Sequence, residues 1–202
     1  IKAAYLNAKK YDLCGDDIRL AYQQAIVFAK KIHCDTRIGE KPISVVSLAF
    51  RSLLERNISK DANVMIIGAG QTNHLMTNLL VKFGIHNVTV YNRTLNKAED
   101  LAARFENGKA IEFDKLTHHN QPIDVILTCT GANYAVITKE IYHQIVPKGK
   151  KVIIVDLAVP QDVEQEIIDL DTVDYIDIAS LEIKAKENML FRRGELYKAE
   201  AM

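Results

Sequence analysis

The sequence predicts a doubly wound parallel α/β sheet, preceded by helices and followed by one long helix. Three observations carry that expectation. From Lys60 onward, short apolar runs alternate with helix-period segments, the order that produces parallel strands joined by right-handed crossovers. The first run, Val64 to Ile67, leads straight into Gly68-Ala-Gly70 and then an amphipathic segment, Leu75 to Phe83: strand, tight turn, helix. The composition is that of an ordinary globular chain, with 48% hydrophobic and 26% charged residues over 202 positions, enough to bury a sizeable core.

Ahead of the sheet, Ile1 to Lys10 reads as helix. Cys14-Gly-Asp-Asp17 breaks it, with Asp16 or Asp17 placed to cap a second helix whose apolar face is Ile18, Tyr22, Ala25, Ile26, Ala29 and Ile32. After a polar loop from Asp35 to Pro42, Ser44 is placed to cap a third helix that buries Val45, Leu48, Ala49, Phe50 and Leu53. Gly84 closes the helix after the first strand. Val88–Tyr91 is expected as the second strand, Thr94–Phe105 as a helix ending near Gly108, and Ala110–Phe113 as the third strand. Val125–Thr128, Val152–Leu157 and Tyr175–Ile178 complete the strands, with a helix over Thr138–Val146 capped by Thr138. Ser180 is expected to start the long helix, with apolar positions at Leu181, Ala185, Met189 and Leu196. The domains expected are residues 1–58 (helical linker and end of a preceding domain), 59–179 (nucleotide-binding) and 180–202 (start of the long helix). The chain opens without Met inside one helical pattern and closes inside another, so a piece of a longer protein is expected.

Lys+Arg and Asp+Glu both number 26, so no global basic field points to nucleic acid. No apolar run reaches membrane-spanning length. Cys14, Cys34 and Cys129 are odd in number and far apart, which fits reduced thiols and a cytoplasmic location better than a disulfide framework or a metal site. His118-His119 are adjacent and make a poor chelate, so no metal is expected.

Helix starts offer unpaired N–H groups to anions, and glycine lets a pyrophosphate approach the backbone. The first candidate cofactor-binding stretch is therefore Gly68, Ala69, Gly70, Gln71, Thr72 and Asn73. A full dinucleotide fingerprint has a small third residue, which packs helix on strand, where this chain has Asn73. The end of the second strand is the sharper signal. An acid there would bind the ribose hydroxyls and repel a 2′-phosphate. This chain has Asn92, Arg93 and Thr94, with Lys97 one turn on, a set suited to a phosphate, which favours NADP over NAD. The loop after the fourth strand, with Thr130 and Gly131, faces the nicotinamide half, and Asp156-Leu-Ala-Val-Pro160 borders the same crevice. Cys129 reads as a small, strand-end thiol rather than a nucleophile.

Gly68-Ala-Gly-Gln-Thr72, Tyr91-Asn-Arg-Thr-Leu-Asn-Lys-Ala98, Cys129-Thr-Gly-Ala132, Asp156-Leu-Ala-Val-Pro-Gln-Asp162 and Tyr175-Ile-Asp-Ile178 together resemble glutamyl-tRNA reductase. Ile43-Ser-Val-Val-Ser47 resembles the segment before that family's first nucleotide-binding strand. The Asn-Arg-Thr element alone is shared with shikimate dehydrogenases. The resemblance implies a Rossmann-like domain that holds NADPH. It implies a parent oxidoreductase that reduces glutamyl-tRNA to glutamate-1-semialdehyde in tetrapyrrole (porphyrin) biosynthesis. In that family a cysteine of a preceding catalytic domain forms a thioester that accepts hydride, and a spinal helix makes a homodimer. None of Cys14, Cys34 or Cys129 matches that cysteine, so no catalytic residue is assigned here and glutamyl-tRNA is expected to meet a domain outside this chain. The alternatives are the cofactor domain of a shikimate-type NADP dehydrogenase and a non-catalytic nucleotide-binding module.

Overall fold

A computed structural model describes residues 2–200. They divide into two compact units: Ile43–Ala185, and a second formed by the segments up to Pro42 and from Lys186.

The larger unit is a six-stranded, wholly parallel sheet of order β3-β2-β1-β4-β5-β6. The strands are β1 (Val64–Ile67), β2 (Asn87–Asn92), β3 (Asn107–Glu112), β4 (Val125–Thr128), β5 (Val152–Asp156) and β6 (Val173–Asp177). This is a Rossmann-like doubly wound α/β fold, as the alternation of periods predicts. Its helices are α3 (Val45–Glu55), α4 (Gln71–Phe83), α5 (Leu95–Ala102), α6 (Lys139–Ile145) and the short α7 (Gln165–Ile168). The long α8 (Ile178–Glu200) follows β6.

β1 shows why the run Val64–Ile67 carries no polar residue. Successive side chains point to opposite faces, and both faces are covered. Val64 and Ile66 join a core with Leu48 and Leu53 of α3, Met76 and Leu80 of α4, and Leu101 of α5. Met65 and Ile67 join a second core with Tyr142 and Ile145 of α6 and Ile167 of α7. Each fully buried Leu or Ile there contributes about 1.5–3 kcal/mol relative to exposure.

Local chemistry sets most boundaries. Gly84 ends α4 in the left-handed conformation (φ 97, ψ 32). Thr138 caps α6 by accepting from the Ile141 N–H at 3.4 Å. Several expectations need correction. The second helix, α2 (Asp16–Asp35), has Gly15 at its N-cap, and Asp16 and Asp17 lie in its first turn, where their charge suits the helix dipole. Ser44 stands at the N-cap of α3 without a side-chain cap bond. Gly108 lies inside β3 rather than at a helix end; its backbone runs so close to α5 that a Cβ would collide with the Ala102 carbonyl oxygen. Phe113–His118 forms a 3₁₀ helix rather than ending a strand. The long helix starts at Ile178 rather than after Ser180, and Asp177 accepts from the Ser180 N–H at 2.5 Å.

In the smaller unit, α1 (Lys2–Lys10) and α2 bury no residue completely. Tyr5 and Tyr22 stack at 3.8 Å between ring centroids. The Glu195 carboxylate accepts from the Arg37 N–H at 2.8 Å, and the Asn188 side chain donates to the Pro42 carbonyl at 2.8 Å. The expected helix at Ile1 begins at Lys2 among the described residues. No helix among them is long and apolar enough to cross a membrane.

Candidate functional site

Strand order reverses between β1 and β4, and ligands of open α/β sheets bind beyond the carboxyl ends of strands at such a point. A cleft lies there. On the side of the first half of the sheet (β1 to β3) it is lined by Gly68, Ala69, Gly70, Asn92, Arg93 and Phe113. On the side of the second half (β4 to β6) it is lined by Cys129, Thr130, Gly131, Ala132, Tyr134 and Val136.

The turn after β1 requires glycine at its first position. Gly68 has φ +93, and a Cβ there would lie 2.6 Å from the Cys129 carbonyl oxygen. The Gly68 N–H donates to the Tyr91 carbonyl at 2.8 Å. Gly70 is different. It has φ −83 and ψ 175, which any residue adopts, and its Cβ direction meets nothing within 4 Å. The direction at Gly131, on the opposite wall, is equally open. Neither glycine is demanded by the chain's own packing, and what both leave is space in the cleft. Gly70 provides no side-chain cap for α4, so the helix start presents its N–H groups unscreened. A nucleotide pyrophosphate fits this cradle.

The candidate residues fall into distinct roles. Asn73 is buried and does not line the cleft; its amide donates to the carbonyls of Ile67 at 3.0 Å and Gly68 at 2.8 Å. It staples the turn from beneath, which explains an amide where the fingerprint has a small residue. Asn92 accepts from the Ala69 N–H at 3.0 Å and donates to the Thr94 carbonyl at 2.8 Å, tying the glycine turn to the end of β2. Arg93 is exposed, lines the cleft, and forms no salt bridge among the described residues. Thr94 holds the N-cap position of α5 with its hydroxyl unengaged by the helix. Lys97 is exposed on α5 and Gln71 is exposed in the first turn of α4; neither lines the cleft. Thr72 follows Gln71 in the first turn of α4 and, like it, does not line the cleft.

The opposite wall is built differently. Thr130 lines the cleft, but its hydroxyl donates to Asp162 at 2.6 Å, and Gly131 follows it. Asp162 is fully buried and also accepts from the Thr128 hydroxyl at 2.6 Å and the Thr130 N–H at 2.8 Å. Asp156, at the end of β5, accepts from the N–H groups of Ala158 at 2.9 Å, Asp162 at 2.7 Å and Val163 at 3.2 Å, and from the Tyr175 hydroxyl at 3.1 Å. Burial pushes the Asp156 carboxyl up and the nearby Asp162 adds to this, although the N–H and hydroxyl donors pull it down. The Val159–Pro160 bond within this loop is cis.

Burial also pushes the Cys129 thiol up, against the hydrogen bond from Thr72, with Asp162 and Asp156 adding to the rise. The thiol donates to the Leu157 carbonyl at 3.2 Å. A protonated, engaged thiol is a poor nucleophile. All three cysteines are free thiols, and the described residues hold no cluster of three or more His, Cys, Asp or Glu able to bind a metal. His119 is buried against the Tyr91 hydroxyl, its Nδ1 at 2.8 Å.

Sequence reasoning missed Phe113 and Tyr134 on the cleft walls and the scaffold role of Asp162. The only available signal was that Asp162 closes the Asp156-Leu-Ala-Val-Pro-Gln-Asp162 stretch after a strand end.

The likeness to known proteins is consistent across three comparisons. A family model described as Shikimate / quinate 5-dehydrogenase matches residues 52–183. The chain is 33% identical over 204 residues to a glutamyl-tRNA reductase of Exiguobacterium sibiricum, covering 99% of this chain and 45% of that protein. It is 34% identical to the glutamyl-tRNA reductase of Priestia megaterium, covering 46% of that protein. The solved glutamyl-tRNA reductase from Methanopyrus kandleri superposes with a TM-score of 0.78 at 31% identity, over 99% of this chain and 51% of that one. The nucleotide-binding domain of the Thermoplasma volcanium enzyme, at 19% identity and a TM-score of 0.53 over 75% of this chain and 98% of that one, shares the fold. The chain thus spans about half the length of the curated relatives it matches.

Proposed function

The chain belongs to the shikimate/quinate 5-dehydrogenase family, and from that premise we propose that it is the NADPH-holding part of a glutamyl-tRNA reductase. The family and the relatives that match this chain from end to end imply a nicotinamide cofactor. The choice of NADPH rests on one observation: β2 itself ends on the amide Asn92 rather than an acid, and exposed Arg93 lines the cleft beside the start of α5. A guanidinium forks onto a phosphate, whereas a carboxylate would repel it.

In this reading Gly68, Ala69, Gly70, Gln71 and Thr72 hold the pyrophosphate at the start of α4, with Asn73 bracing the turn. Asn92, Arg93, Thr94 and Lys97 take the adenine ribose and its 2′-phosphate. Thr130 and Gly131 border the nicotinamide half. The cofactor supplies a hydride. The residues of this chain bind it, orient it and shield it from water; none is assigned as nucleophile.

For the whole protein the reading is reduction of glutamyl-tRNA to glutamate-1-semialdehyde in tetrapyrrole biosynthesis, in the cytoplasm. The nucleophilic cysteine belongs to a catalytic domain outside residues 1–202, for which the greater length of the relatives leaves room. Residues 1–58 are then the link to that domain, 59–179 the cofactor domain, and 180–202 the beginning of a spinal helix through which two copies pair. Exposed Met189, Leu190 and Leu196 on α8 support that last assignment. Similarity to reductases over the whole of this chain supports this reading over a shikimate-type dehydrogenase.

Fluorescence titration of the chain with NADPH and NADH tests the proposal. NADPH binds more tightly, and Arg93→Ala reduces the preference by about tenfold or more, the value of a charge-assisted phosphate contact. Equal affinity for both cofactors in the unsubstituted chain overturns the NADP assignment.

A further inference from the structure

The second wall of the cleft hangs on a carboxylate that no ligand could touch. Asp162 is fully buried. Its Oδ1 accepts from the Thr130 hydroxyl at 2.6 Å, and its Oδ2 accepts from the Thr128 hydroxyl at 2.6 Å and the Thr130 N–H at 2.8 Å. Its backbone carbonyl accepts from the N–H groups of Val136 at 2.7 Å and Ile137 at 2.9 Å. One residue therefore pins both ends of the segment 129–135, with its side chain on one end and its main chain on the other. The middle of that segment supplies Gly131, Ala132 and Tyr134 to the cleft.

Asp162 is itself located by Asp156, whose Oδ2 accepts from the Asp162 N–H at 2.7 Å. The register of the sheet makes this chain of contacts possible: Thr128 and Asp156 are paired residues on β4 and β5. The bonds run from the end of β5 to Asp162 and back to the end of β4. No lysine or arginine forms a salt bridge with either carboxylate among the described residues, so hydroxyl and backbone donors alone hold them. Burying a carboxylate is costly unless it is fully hydrogen-bonded, so this arrangement tolerates few alternative loop conformations.

The geometry points to Asp162 as the positioning residue for the nicotinamide half of the site, acting through the loop Cys129–Gly131 and leaving the adenine half untouched. This rests on the cofactor reading above. The two halves are separable because the glycine turn, Asn92 and Arg93 belong to β1, β2 and the helices after them. None of those residues bonds to Asp162.

Two ligands distinguish this role from general support of the fold. NADPH spans both halves; adenosine 2′,5′-bisphosphate carries only the adenine half. In Asp162→Asn one acceptor oxygen becomes a donor facing Thr130. NADPH affinity falls by about tenfold or more, the effect of leaving a buried donor unpaired, while the bisphosphate binds within about twofold of its original affinity. Thr128→Val removes one of the three side-chain contacts without altering the carboxylate; it weakens NADPH in the same direction by a smaller factor, again sparing the bisphosphate. This second variant keeps the test open if Asp162→Asn does not fold. Equal weakening of both ligands, or no change in NADPH binding in either folded variant, overturns the positioning role. Failure of the unsubstituted chain to bind either ligand is a different result: it removes the cofactor reading, and this inference with it.

Discussion

The two halves of the sheet approach the same cleft by different physics. In the first half, the groups that face a ligand are main-chain groups and one exposed cation: the turn Gly68–Gly70, the uncapped start of α4 and Arg93. Its polar side chains, Asn73 and Asn92, are neutral amides that hold that main chain in place. In the second half, the wall is a loop with little to offer by itself, held by two buried carboxylates. Neutral amides suit a place where an anion must come close, since a carboxylate there would repel it. Charged acceptors beneath the other wall face hydroxyl and N–H donors on every side, which gives a stiffer loop. One half is thus designed around attraction, the other around rigidity.

Substitutions can break this contrast, and the largest effect is expected where the halves meet. Gly68→Ala forces a Cβ into the Cys129 carbonyl, at 2.6 Å, in a left-handed conformation. It should cost about 3 kcal/mol and damage both halves at once, seen as a lower urea midpoint and loss of binding of NADPH and of the adenine fragment alike. Retention of full stability would show that the turn relaxes without strain.

Asn73→Gly sharpens the comparison, because it restores the small residue of the dinucleotide fingerprint. From the sequence the change is a minor one; the structure expects about 2 kcal/mol of destabilisation, since two carbonyls beneath the turn lose their donor. Chemical denaturation decides the sign. A stabilised variant would mean that Asn73 contributes nothing as a staple.

The smallest effect concerns the connection between the halves. His119 follows the 3₁₀ helix that leads from β3 toward β4, and it packs on Tyr91 of β2. Burial lowers the His119 pKa from its ordinary value, the nearby Lys109 lowers it further, and a backbone contact at Gln121 works against them. Burial also pushes the Tyr91 hydroxyl up to about 12. The native state therefore resists protonation of His119, while the unfolded chain takes up that proton near pH 6.5. Stability from this group is present above that pH and is lost as the pH falls through it toward the lowered native value. Urea melts at about pH 7.5 and about pH 5.5 should show a smaller loss of stability on acidification in His119→Gln than in the unsubstituted chain. Identical pH slopes would assign the acid sensitivity elsewhere.

Much of this molecule is legible in the residues. The apolar run Val64–Ile67 and the glycine after it announce a buried parallel strand and a turn, because a strand covered on both faces has no place for polar side chains. The amide at Asn92, where an acid would repel a phosphate, is legible for the same local reason, and the NADPH proposal is built on it. Boundaries were harder. The start of α4 at Gln71 precedes the first strongly apolar position, and Gly108 looks like a helix stop because its contact with Ala102 is invisible in a linear pattern. Within the site, Asn73 reads as a ligand contact yet is buried beneath the turn, whereas Asn92 lines the cleft and also ties the turn to β2. Tyr134 reaches the cleft from a loop that carries no periodic signal, and Phe113 from the start of a 3₁₀ helix where the sequence reads as the end of a strand.

What the sequence determined by itself was local: the strand and helix periods, the glycine whose φ must be positive, and the residue types available to meet a phosphate. What only the tertiary structure decided was which polar side chains face a ligand and which face each other. Asp162 lies 34 residues from Thr128 and 32 from Thr130, yet bonds both. The parallel register that sets Thr128 beside Asp156 closes that distance, and register follows from packing both faces of the sheet together rather than from any single segment.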